Sequence, residues 1–137
     1  MKGGNPMKRL NQKGFTLVEI MIVVAIIALL AAIAIPNLLR AKISANDALA
    51  QSTLRTLSTA SETFTTANNG NYPDDMTSLT GATPPYINTD YCSTTDAGYS
   101  FTCTNTAGGY TYVATPVTVG TSGTTTYTIT TGGILTP

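Results

Sequence analysis

Between Phe15 and Ile35 the chain reads FTLVEIMIVVAIIALLAAIAI, 21 residues in which Glu19 is the only charge, with Pro36 directly after them. As a helix this stretch rises roughly 31 Å at 1.5 Å per residue, about the thickness of the hydrocarbon core of a bilayer, so it is long enough to span a membrane. The preceding residues MKGGNPMKRLNQKG carry Lys2, Lys8, Arg9 and Lys13 and no acid. By the positive-inside rule that end stays cytoplasmic, and everything after Pro36 lies on the far side.

Glu19 needs a reason, because a carboxylate near the bilayer centre costs on the order of 2.5 kcal/mol or more. One reading places it at the headgroups, where it snorkels. Its neighbours support another. Lys13-Gly14-Phe15-Thr16-Leu17-Val18-Glu19 combines a basic leader ending in Gly, then Phe, an acid at the fifth position after that Gly, an unbroken apolar run, and a proline where the run ends. This pattern resembles the prepilin motif of the type IV pilin and type II secretion pseudopilin family, over about the first 40 residues. The resemblance implies that a membrane prepilin peptidase cuts between Gly14 and Phe15 and N-methylates Phe15. It also implies that the product assembles into a helical homo-oligomeric filament on an inner-membrane platform, with Glu19 and Pro36 as assembly residues. The chain departs from many members in one respect, carrying Ala28 where they have a mid-segment Gly, which makes for a stiffer helix.

The motif also has a chemical logic of its own. Cutting after Gly14 replaces a neutral amide by an α-ammonium of reference pKa about 7.7 to 8, one helical turn from Glu19 or beside Glu19 of a staggered neighbour. It also removes four of the seven basic residues, which converts a membrane-anchored precursor into an extractable subunit. An ordinary secretory signal cut after Ala32-Ile33-Ala34 is the alternative, but such signals have apolar cores of about 7 to 15 residues. Neither that reading nor an uncut anchor explains Glu19 or the Gly14-Phe15 junction.

The sequence predicts an α+β fold, a long N-terminal helix packed on a small antiparallel sheet, in four parts: a leader at 1–14, an apolar helix at 15–36, an amphipathic helix at 37–68, and a connector with sheet at 69–137. In the third part Leu39, Ile43, Ala50, Leu54, Leu57 and Phe64 recur at helical spacings. Arg40, Lys42, Asp47, Gln51, Arg55 and Glu62 fall mostly off that stripe. Asn68-Asn69-Gly70 suits a left-handed cap, and Pro36 predicts a kink. Residues 71–97 contain three prolines and no sustained periodicity, and read as a surface loop. Asp74-Asp75 within it is weak as a Ca²⁺ site, having no loop motif around it. GYSFTCT, GYTYVAT and TTTYTIT alternate as three strands, with turns at 105–109 and 120–123 and a short last segment holding Ile134 and Leu135. Tyr99, Phe101 and Cys103 share one face, as do Tyr127 and Ile129, and Pro116 marks a strand end, bulge or edge.

Cys92 and Cys103 are the only cysteines, on the oxidising side of the membrane by this topology, with no CxxC spacing and no His in the chain; a disulfide is favoured over a metal site. Enzymatic activity is excluded on the same inventory: no His, no basic residue after Arg55, no nucleophile motif and no phosphate-binding loop. No cofactor or metal is called for. With the leader removed, three bases face seven acids, which gives no electrostatic support for nucleic-acid binding. The sequence therefore describes a structural subunit, lodged in the inner membrane as precursor and monomer and outside the cell as a filament. A pseudopilin of a type II secretion system, or a minor or DNA-uptake pilin, is the alternative. The mature protein should begin at N-methylated Phe15 by intact mass, and a bulky residue in place of Gly14 should leave full-length precursor in the membrane. A mature start at Ile35 would establish the ordinary signal instead.

Overall fold

The computed structural model describes residues 14–137; Lys2, Lys8, Arg9 and Lys13 of the basic leader lie outside the described residues. Helix α1 runs Leu17–Ala67 with Pro36 inside it. It starts where it does because Thr16 and Glu19 cap it reciprocally. Glu19 Oε2 accepts from the Thr16 backbone N–H and hydroxyl, both at 2.8 Å, and Thr16 Oγ1 accepts from the Glu19 N–H at 3.2 Å. This is a capping box, T-x-x-E, satisfying amide donors that a helix start otherwise leaves free. At the other end Asn69 takes a left-handed conformation, φ 57°, and the Gly70 N–H bonds back to the Thr65 carbonyl at 2.9 Å. That six-residue closure is the Schellman motif.

The chain divides into two compact units, the first ending at Pro36 and the second comprising Asn37–Pro137. In the first, no residue from Phe15 to Ile35 is buried, and an 18-residue window of α1 reaches a mean hydropathy of 3.0.

In the second unit the buried face of α1 begins only at Ala50 and comprises Ala50, Thr53, Leu54, Leu57, Ser58, Ala60 and Ser61. The predicted stripe is thus shorter than its periodicity: Leu39 is 43% exposed and Ile43 only half-buried, because the apolar cluster takes up side chains of α1 only from Ala50 onward. The predicted connector loop also contains a helix, α2, Met76–Thr80, which buries Met76 and Leu79 in the core. Five residues are too few to show helical periodicity. Its start is fixed by Asp75, whose carboxylate accepts from the Ser78 N–H at 2.8 Å and the Ser78 hydroxyl at 2.9 Å.

The sheet is an antiparallel meander of β1 (Thr95–Asp96), β2 (Tyr99–Thr106), β3 (Gly109–Pro116), β4 (Tyr127–Thr130) and β5 (Ile134–Thr136), adjacent in chain order. Beyond the three strands and last segment read from the sequence, Thr95–Asp96 adds an edge strand. The β2–β3 turn is tighter than 105–109, since Thr106 pairs with Gly109. Register sets the core-facing rows: Cys103, Tyr112, Ile129 and Leu135 lie across from one another, beside Phe101, Ala114 and Tyr127. With Leu54, Leu57, Leu79 and Ile87 these form one apolar cluster. A side chain at Gly123 would run into the ring of Tyr99, so the loop before β4 lies directly on that fully buried tyrosine.

Cys92 and Cys103 form a disulfide, with Cα atoms 5.5 Å apart, that ties the connector to β2. In the chain-entropy account a loop of this length contributes about 3 kcal/mol. Neither cysteine should alkylate in the unreduced protein, and Cys103→Ser should lower the urea-unfolding free energy by about that amount; two reactive thiols in the native chain would refute the pairing.

Candidate functional site

The residues singled out at the N-terminal end lie close together on exposed backbone. Gly14 precedes the helix, and a Cβ built on it meets nothing within 4 Å, so no packing in the described residues requires glycine there. Phe15 is 85% exposed. Glu19 lies one turn into α1, engaged with Thr16, and shares a shallow groove with Phe15, Ile20 and Val23. Pro36 is 17 positions further along the helix, roughly 26 Å of rise away, and belongs to a different neighbourhood. Its place as the only charge of an apolar run singles out the carboxylate but not its cap, although T-x-x-E before an apolar run is the recognised signature.

The second unit holds two sites that the sequence does not announce, both built on carboxylates that lie off the apolar stripe. Asp47 accepts the Tyr99 hydroxyl at 2.6 Å, the Thr124 hydroxyl at 2.6 Å and the Thr124 N–H at 3.1 Å. Asn46 beside it donates to the Ser122 carbonyl at 2.8 Å. One helix turn of α1 thereby holds the loop before β4. Fifteen residues on, Glu62 accepts the Tyr110 hydroxyl at 2.9 Å and the Gly132 N–H at 2.8 Å through Oε1, and the Tyr72 hydroxyl at 3.2 Å through Oε2. It holds the β4–β5 turn and the connector together.

Two buried serines complete the seam. The Tyr110 hydroxyl donates to Glu62, so the Ser58 hydroxyl donates to Tyr110, 2.7 Å away. Ser61 donates to the Leu57 carbonyl at 3.1 Å and accepts from Tyr112 at 2.6 Å. Among the described residues no buried side-chain nitrogen or oxygen lacks a partner. Such full satisfaction is what makes a polar seam between helix and sheet tolerable.

Electrostatics follow from these contacts. Burial works against the charge on Asp47, but the bonds from Thr124 and Tyr99 outweigh it and hold the carboxyl below its ordinary range. Burial, then the Asp47 carboxylate, pushes the Tyr99 phenol well above its usual value. Burial and Glu62 take Tyr110 up to about 12. These phenols stay neutral and the carboxylates are saturated with donors, so neither cluster offers a general base or a nucleophile. Among the described residues no three His, Cys, Asp or Glu side chains gather as metal ligands. Asp75, half of the Asp74-Asp75 pair, is occupied in capping α2.

With this geometry in hand, comparison with known proteins is specific. Residues 9–35 match the family model described as the prokaryotic N-terminal methylation motif. The chain is also 36% identical over 110 residues to the type IV wide pilus major component PilA4 of Thermus thermophilus, covering 77% of this chain and 83% of that protein. It belongs to the type IV pilin family. It is further similar to the type IV major pilin protein PilA of Myxococcus xanthus, 48% identical over 54 residues, 39% of this chain and 24% of that one. The third relative is the type IV major pilin protein PilE1 of Neisseria gonorrhoeae, 41% identical over 78 residues, 54% of this chain and 44% of that one. Thus the chain spans most of the Thermus protein but less than half of the other two. No solved structure matches it significantly.

The clasps yield a pH prediction. A carboxyl whose folded pKa lies below its unfolded value contributes stability that is complete above about pH 3.9 and lost as pH falls through the folded value. A phenol raised to about 12 contributes stability present below about pH 10 and lost as pH rises towards 12. Unfolding of the detergent-solubilised chain should show both limbs. Asp47→Ala should cost about 1–3 kcal/mol at neutral pH, by removing the charged acceptor of the part-buried Tyr99 hydroxyl, and should weaken the acid limb.

Proposed function

We propose that this chain is a structural subunit of an extracellular type IV pilus, made as a precursor in the inner membrane and matured by prepilin peptidase. In this reading residues 1–14 are the leader, 15–36 the assembly helix, 37–68 the helix that carries the sheet, and 69–137 the outward-facing connector and sheet. The peptidase cuts between Gly14 and Phe15 and methylates Phe15, and an inner-membrane platform draws the product into a homo-oligomer. The observation that carries the reading is the apolar surface from Phe15 to Ile35, none of it buried within the subunit and interrupted by one carboxylate near its start. Lipid covers such a surface in the monomer, and copies of the same helix cover it in a filament. The freedom around Gly14 adds support, since the demand for glycine then comes from a protein that handles this junction. The relatives are named as major pilins, which favours a pilus over a secretion pseudopilus.

Within this reading Glu19 receives the new ammonium of Phe15 from a neighbour staggered by about 6 Å, four residues of rise. In an apolar core the pair fixes register more than it adds stability, because desolvation offsets much of the attraction. Removing one partner is the costly change. Glu19→Gln is a clean test, since glutamine serves the capping box as well as glutamate and only the charge is lost. Processed monomer should accumulate in the membrane with few or no filaments in the sheared fraction. Wild-type filament yield from this variant would end the pairing hypothesis.

A further inference from the structure

Once the leader is removed, the remaining charges are sorted along the chain. The three cations, Arg40, Lys42 and Arg55, lie on α1, and no Lys or Arg follows. All three are exposed. Of the acids, Asp47 and Glu62 face the sheet and are bound there, whereas Asp74, Asp75, Asp90 and Asp96 belong to the connector and β1, the first three exposed. Asp75 and Asp90 also accept local N–H groups, from Ser78 and Cys92, which fixes their carboxylates in place without neutralising them.

Beside Arg55 the surface is shaped. A groove of about 350 Å³ runs between the exposed face of α1 and Tyr86 of the connector, walled by Ser52, Thr56, Thr59 and Thr63. The hydroxyls of Thr56, Thr59 and Thr63 bond back to the carbonyls of Ser52, Arg55 and Thr59, at 3.0, 2.8 and 2.7 Å. Their polar atoms are used within the helix, which leaves Arg55 as the charge of this groove.

We propose, resting on the filament reading above, that this groove receives the acidic connector of a second copy of the chain, with Arg55 facing one or more of its aspartates. Charge complementarity selects this occupant. Mature subunits carry four more acids than bases and repel one another in most orientations; attraction requires a cation of one, such as Arg55 in this groove, against the acidic connector of the next. Screening over about 8 Å at physiological ionic strength makes this a contact effect that acts in the docked geometry. The two patches are different surfaces, so the contact is heterologous, and a heterologous contact that does not close into a ring propagates as an open helix.

Lys42 is the only lysine beyond the leader, which allows a direct test. In the double variant Lys42→Arg, Arg55→Lys, a zero-length carbodiimide reagent has one side-chain amine to couple. Sheared filaments should yield cross-linked peptides joining position 55 to Asp74, Asp75, Asp90 or Asp96, and detergent-dispersed subunits should not. Cross-links absent from filaments, equally present in dispersed subunits, or running to another protein would overturn the contact. Filaments that lack this chain altogether would overturn the pilus reading with it. As a second measurement, Arg55→Glu should leave cleaved monomer at its wild-type level and lower sheared filament at least tenfold; an unchanged yield would overturn the proposal.

Discussion

The surface from Phe15 to Ile35 cannot be hidden inside this subunit. It is a continuous apolar helix with no residue buried, and at about 25 cal/mol per Å² its exposure to water is prohibitive. Such a surface needs lipid or other apolar helices to cover it. A single acid is tolerable in such a segment only if its oxygens are occupied. Thr16 occupies one of them, Oε2, in the structure, and the same residue starts the helix.

The second unit solves the opposite problem. Its helix face is rich in Ser and Thr, a poor choice for a helix interior and a poor apolar core, yet two serines, two carboxylates and four tyrosines make a seam in which every buried side-chain donor and acceptor is matched. The apolar cluster beneath is modest, and the tyrosines serve it twice, with rings in the core and hydroxyls on the helix. Tyr110 and Tyr112 stack at 4.8 Å between ring centroids while each bonds a different residue of α1. Packing and hydrogen bonding therefore fix the same register of sheet on helix.

Much of this was legible from the sequence because it rests on long periodic signals: the apolar run, the helix to Asn68, the strands from Gly98 onward, and the pairing of two lone cysteines. What escaped notice was short or depended on tertiary contacts. Helix α2 has five residues and β1 two, below the length at which a period is visible. Asp47 and Glu62 stand off the apolar stripe and look solvated by pattern alone; only the folded sheet brings Tyr99 and Tyr110 to them. Leu39 erred in the other direction, fitting the stripe but lying before the point where the sheet begins to cover it. The capping box T-x-x-E is a sequence signature too, overlaid on the motif that uses the same glutamate.

The absence of lysine and arginine from the sheet and connector has a consequence for survival outside the cell. Proteases of trypsin-like specificity cut only after basic residues, and beyond Arg55 they find none. An enzyme of broader specificity that nicked the backbone between Cys92 and Cys103 would leave both ends covalently joined through the disulfide. The sheet and connector are thus the part of the chain least open to one widespread class of digestive enzyme.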